Sequence, residues 1–258
     1  MNVYPNKQAA RLLQIVAKSK QFILIAIAIV FTSNVEAQWW GSKKVRGNGN
    51  VVTKTRSVGD YDKIGVGGSF DVKLVAGNEG TLTIQMDENL FDYLVTEVDG
   101  DKLSIKWKKG TNVSTRSKLL ITVPFEDINS VSLAGSGDVY SEDVIKADSF
   151  KSALAGSGDL KLKVDANHVK SSIAGSGDIY LEGSTTSVKT SIAGSGDVHA
   201  YELSAKEAEI SIAGSGGVKI SVSDMLKARI SGSGNVYYKG NPAKQDVKVS
   251  GSGNVSSR

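Results

Sequence analysis

Six side chains at matching positions of a repeat could do chemistry together: Tyr140, Lys161, Tyr180, His199, Lys219 and Tyr237. A row of phenols, ammonium groups and an imidazole could stack on sugar rings or grip an acidic partner. These are also ordinary outward strand residues: tyrosine favours strands, and lysine discourages edge pairing. A second row is acidic: Asp138, Asp159, Asp178 and Asp197, with Asp71 before them and Asn235 and Asn254 after them. Stacked carboxylates repel, and a bound cation would relieve that. Calcium takes roughly six to eight oxygens, however, and a single carboxylate per repeat supplies few. The four aspartates are weak calcium candidates, and the expected role is that of solvated turn residues. No metal and no cofactor is expected.

Enzyme signatures are sparse. The chain has two histidines, His168 and His199, too few for a histidine-rich metal site. Gly-Ser-Gly lacks the spacing of the nucleophile elbow. Gly175-Ser-Gly177-Asp-Ile-Tyr180 lacks the last glycine of a dinucleotide loop. Outward carboxylates at Glu142, Asp143, Glu182, Glu202 and Glu207 are scattered. A polysaccharide lyase or hydrolase is therefore the alternative reading, and a non-catalytic binding protein the main one; a purely structural envelope protein is the blander third.

The elements that would position these rows are set by Gly-Ser-Gly. It starts at Gly135, Gly156, Gly175, Gly194, Gly214, Gly232 and Gly251, in steps of 21, 19, 19, 20, 18 and 19 residues. Such a period marks a solenoid whose coils bury their apolar faces only by stacking. Two places before each tripeptide lies Leu133, Leu154, Ile173, Ile192, Ile212, Ile230 or Val249. Six places after that reference lies Val139, Leu160, Ile179, Val198, Val218, Val236 or Val255. The spacing around them is two, which predicts two short strands per coil, one on either side of the glycines. Successive coils would pair in parallel at about 4.8 Å. The glycines are expected at a tight corner that needs positive φ or has no room for a Cβ. The outward row Lys151, Lys170, Lys189, Glu209, Lys227 and Asp246 is expected to be a solvated face. The fold class is thus all-β: a single-stranded parallel β-helix of about 19–20 residues per coil, the right hand being expected.

The template extends upstream. Val45-Arg46-Gly47-Asn48-Gly49-Asn50-Val51 fits it with Asn for Ser, and Val66-Gly67-Gly68-Ser69-Phe70-Asp71-Val72 fits with Phe70 for the second glycine. Between Gly68 and Gly135 there is room for about three longer coils or a small β insertion. Within it Leu82, Ile84 and Met86, then Leu103, Ile105 and Trp107, then Leu119, Ile121 and Val123 alternate, and Glu88–Leu94 suits one or two helical turns. The expected organisation is a signal peptide at 1–37, a short linker at 38–44 and one β domain at 45–258, degenerate over 45–130 and regular over 131–258.

Lys18 and Lys20 precede an apolar run from Phe22 to Phe31, and Val35-Glu36-Ala37 resembles a cleavage site. The run is short of the ~20 residues needed to span a bilayer. The expected location is therefore outside the cytoplasm: periplasm, outer-membrane surface or medium. The chain has no cysteine, so disulfides and thiol chemistry are excluded. The leader carries Lys7, Arg11, Lys18 and Lys20 against Glu36, so without it the net charge of +4 falls to about +1. Charge gives no general support to nucleic-acid binding, and no membrane span is expected in the mature chain.

The repeated Ala/Ser-Gly-Ser-Gly-Asp/Asn-Val/Ile, with Arg56-Ser-Val-Gly-Asp-Tyr-Asp-Lys-Ile-Gly-Val66 upstream, resembles the head GIN domain family of auto-transporter adhesin heads. The resemblance covers about residues 45 to 258. It implies a secreted parallel β-helix related in shape to pectin lyases, a role in adhesion, and no catalytic residues to carry over. The partners expected are a polysaccharide or a surface protein, held through the Tyr140–Tyr237 row. No membrane barrel is expected after Arg258, and the last coil would be an open edge on which a second copy stacks.

Overall fold

The computed structural model describes residues 42–258. The proposed leader and residues 38–41 of the proposed linker lie outside them. Strand makes up 73% of the described chain. No helix among these residues is long and apolar enough to cross a membrane.

The chain starts with β1 (Lys43–Arg46) and β2 (Val51–Ser57), then β3 (Lys63–Gly68), β4 (Asp71–Ala76) and β5 (Thr81–Asp87). A 3-10 helix at Glu88–Tyr93 leads to β6 (Leu94–Asp99), β7 (Lys102–Trp107), β8 (Thr111–Ser114) and β9 (Leu120–Phe125). β10 (Ser130–Gly135) opens the regular coils: β11 (Val139–Gly156), β12 (Leu160–Gly175), β13 (Ile179–Gly194), β14 (Val198–Gly214) and β15 (Gly217–Gly232). The last coil comprises β16 (Asn235–Lys239), β17 (Lys244–Gly251) and β18 (Asn254–Ser257).

The glycine corners form one row. Gly68 lies opposite Gly135, and Gly135, Gly156, Gly175, Gly194, Gly214, Gly232 and Gly251 follow in register, all on parallel strands. The aliphatic columns point inward. Leu133, Leu154, Ile173, Ile192, Ile212 and Ile230 are buried on one side, and Val139, Leu160, Ile179, Val198, Val218 and Val236 on the other. Each such side chain contributes roughly 1.5–3 kcal/mol when buried, which is how a glycine-rich chain holds its order. The β-solenoid fold read from the period is the one observed, with about 7 turns.

The expected two short strands per coil are instead one strand of 16–18 residues in β11 to β15. The strand runs on through the bends, where pairing with the neighbouring coil is interrupted by only one to three residues. The far corner also absorbs the unequal steps. Register slips between Tyr140 and Val144, between Tyr180 and Gly183, and between Ala200 and Ser204.

The stretch from Gly68 to Gly135 is not a run of three successive coils, the first of its two expected forms. β3 and β4 form a coil directly beneath β10 and the start of β11. β7 and β9 pair with the far sides of β3 and β4, so residues 102–125 lie one floor lower than residues 63–76. The chain makes its second coil below its first, then returns above it. Antiparallel strands close the bottom: β6 on β7, β5 on β9, and β2 on β5. The Gly47-Asn48-Gly49-Asn50 match is not a coil corner. β1 pairs with β8 in a separate two-stranded sheet, and β2 runs against β5. A coil requires its next strand to continue in parallel, and here it turns back.

Candidate binding faces of the solenoid

The two glycines of each corner answer to different constraints. The first has φ between +127° and +146° in all seven repeats. The second does not, but a Cβ on it would run into the backbone oxygen beneath, as one on the first also would. From Gly135 to Gly232 the carbonyl of the first glycine accepts from one or two amides of the next coil, as Gly156 does from Ser176 at 3.0 Å and Gly177 at 3.1 Å.

The acidic row is tied into this corner. Each carboxylate accepts a hydrogen bond from the backbone N–H one coil on. Asp138 Oδ1 accepts from Asp159 at 3.0 Å, Asp159 from Asp178 at 3.1 Å, Asp178 from Asp197 at 2.8 Å and Asp197 from Gly217 at 2.6 Å. Asn235 serves the same end for Asn254 at 3.1 Å. Asp and Asn alternate freely because only an acceptor oxygen is required. One oxygen of each aspartate is thereby engaged. Among the described residues Asp178, Asp197 and His199 bring one donor atom each within 4.8 Å of one another. Three donors fall well short of the roughly six to eight oxygens calcium takes.

The row Tyr140, Lys161, Tyr180, His199, Lys219 and Tyr237 stands in register on one outward face, next to the aspartates. Tyr180 is stacked against His199 at 4.6 Å and 14°, and Lys161 Nζ lies over the same ring at 5.6 Å from the preceding coil. Both faces of Tyr180 are therefore occupied, and its edge is what meets solvent. Arg258 covers Tyr237 at 4.7 Å. Burial, with the carboxylates of Asp178 and Asp159, raises the Tyr180 phenol above its ordinary value. His199 Nε2 is 3.7 Å from Asp178 Oδ2, and Lys161 Nζ is 3.8 Å from Asp159 Oδ2. What the row offers a partner is hydroxyls, charges and ring edges. The scattered carboxylates do not join it as a catalytic set: Glu142 pairs with Lys73 at 2.9 Å, Asp143 accepts from the Ala76 amide at 2.8 Å, and Glu182 sits opposite Lys163.

The far corner holds residues that the repeat columns do not single out. There Lys146, Asp165, Ser184, Ser204, Ser221 and Lys239 follow in register through six coils. Behind them Ala147, Ala166, Thr185, Ala205 and Val222 form a floor. Together with Asn167, Thr186, Ser223 and Asn241 they line a groove of about 1180 Å³. Five coil spacings make it roughly 24 Å long. Ser184 Oγ donates to Asp165 Oδ1 at 2.7 Å, so neighbouring coils share polar contacts along the groove. Its sequence signal is weak because the coil length varies at this corner, which scrambles fixed-offset columns. A buried hydroxyl column is equally hard to read from the chain: Ser152, Ser171 and Thr190 lie inside the stack, with Ser152 donating to Ser171 at 3.1 Å.

Residues 60–242 match the family model described as "Putative auto-transporter adhesin, head GIN domain". Similar solved structures include a "putative adhesin" from Bacteroides fragilis, 22% identical with a TM-score of 0.78, covering 83% of this chain and 100% of that one. A "putative lipid binding protein" from Parabacteroides distasonis is 30% identical, with a TM-score of 0.69, over 84% of this chain and 100% of its own. A "putative adhesin" from Parabacteroides merdae is 27% identical, with a TM-score of 0.63, over 84% and 99%. Comparison with curated proteins gave no match.

Proposed function

This chain belongs to the head GIN domain family, and we propose that it is an exported, non-catalytic binding protein of the adhesin type that holds a polysaccharide along its far-corner groove. One observation carries this reading: six successive coils present equivalent polar residues along a single groove of about 1180 Å³. A repeating surface engages a repeating ligand through many weak contacts at once. Hydroxyl and amide side chains, with charged ones at Lys146, Asp165 and Lys239, over a floor of alanine, threonine and valine match the two kinds of surface that a sugar presents. The adhesin names of the neighbours agree with a binding role. The Tyr140–Tyr237 row is a second outward face, able to hydrogen-bond a partner through Tyr140 and Tyr237. Val247 and Val249 of β17, 40% and 39% exposed, offer a further apolar strip to a partner.

A glycan array on residues 42–258, followed by titration of the best neutral glycan, tests the groove. Ser204→Trp, which fills its middle, should weaken binding at least tenfold with the β-rich circular dichroism unchanged. Equal binding by wild type and Ser204→Trp would remove the groove from the proposal, and larger loss in Tyr237→Ala would move the site to the other face. Release of reducing or unsaturated ends from any glycan would point instead to the enzyme reading.

A further inference from the structure

One outward face separates charge from bulk in an ordered way. Lys151, Lys170 and Lys189 occupy equivalent positions of three consecutive coils, on parallel strands about 4.8 Å apart. All three are exposed. Lys189 shares Glu209 with Lys227, at 3.3 and 3.2 Å. Lys151 and Lys170 have no carboxylate partner among the described residues. Like charges directly opposite on neighbouring strands destabilise a sheet, so this row is held against its own repulsion. On one flank Ser149, His168 and Ser187 line a hollow of about 390 Å³, with His168 Nδ1 2.8 Å from Ser187 Oγ. On the other flank the outward side chains are small, as at Ser172 and Ala174, and leave a shallow trough of about 580 Å³ that ends at Lys102 and Lys106.

We propose that this face binds a linear acidic polysaccharide, laid along the serine–alanine floor with its carboxylate or sulfate groups against Lys151, Lys170 and Lys189. The open trough does not enclose a small anion. A free anion would meet one or two ammonium groups, whereas a polymer meets the whole row at once. A nucleic acid carries the needed charge, but single strands are held by stacking bases on aromatic side chains, and this floor is serine and alanine. The face lies apart from the far-corner groove, so the inference does not depend on that assignment.

The test is retention on immobilised polygalacturonate and on a sulfated glycan, with neutral dextran as reference. The wild-type chain should bind at least one acidic polymer, more weakly as salt rises, and should ignore dextran on this face. Lys151→Gln with Lys170→Gln should reduce affinity at least tenfold. Ala174→Trp, which obstructs the floor without changing charge, should do the same. Lys44→Gln with Lys109→Gln, equal in charge change but on exposed positions elsewhere, should bind as wild type does. Ser204→Trp should also bind normally, which separates this site from the groove. The proposal is overturned if wild type binds neither acidic polymer, if both lysine pairs weaken binding equally, or if single-stranded DNA competes as well as the glycan.

Discussion

Alanine in place of Gly175 would have to adopt φ near +139°, and its methyl would strike the backbone of Gly156. The strained backbone alone costs about 1–3 kcal/mol. Alanine at Gly177 meets no such φ, but the Gly158 carbonyl lies in its way, an overpacking that costs about 1–3 kcal/mol. Gly49, by contrast, has φ of +80° with nothing within 4 Å of the site of a Cβ. Its alanine variant should lose only about 1–2 kcal/mol. Urea midpoints of the three variants check this, with Gly175→Ala expected to fall furthest because it meets both penalties. A Gly175→Ala as mild as Gly49→Ala would show that the coils can spread to admit a methyl. The aspartates are legible in the sequence as a row. Their work, accepting the next coil's amide, is visible only with the register.

At the scale of elements, the antiparallel strands at the bottom of the stack cover an edge that would otherwise invite pairing. Asp87 fastens them. It is fully buried between β5 and the 3-10 helix, where Thr115 Oγ1, Ser117 Oγ (2.8 Å) and the Gly49 amide (2.9 Å) donate to it. Burial opposes its charge, but these donors outweigh burial and hold the carboxyl below its ordinary value. The unfolded chain therefore takes up this proton first as pH falls. Its contribution is complete above the unfolded value of about 3.9 and is lost as pH falls through the folded one. Wild type should thus lose stability below about pH 4 more steeply than Asp87→Asn, measured as urea midpoint against pH; parallel curves would exclude Asp87 as the cause. Asp87→Ala, which strands three donors, should cost about 1–3 kcal/mol at neutral pH. The Gly47-Asn48-Gly49-Asn50 segment imitates a coil corner in sequence because this latch also needs glycines near a carboxylate: a Cβ on Gly47 would collide with Asp87.

Over the whole molecule, each coil is supported by its neighbours, so protection should follow position in the stack. β12 and β13 pair on both sides along nearly their full length, whereas β17 pairs only with β15 and all of its residues are exposed. Native-state hydrogen exchange should be slowest in β12 and β13 and fastest in β17 and β18. Uniform protection from β11 to β18 would mean that the coils open as one unit.

The seven glycine corners and the aliphatic columns determined the solenoid from sequence alone, because a parallel stack repeats one local environment and so repeats its residues. That same repetition spells out the Tyr140–Tyr237 and Lys151–Lys189 rows in the chain itself. Tertiary structure decided what repetition does not encode. It placed residues 102–125 beneath residues 63–76, since strand pairing between distant segments leaves no period to read. It turned Tyr180 edge-on by packing it between Lys161 and His199. It also gathered the far-corner groove, whose residues drift in sequence because that bend takes up the differences in coil length.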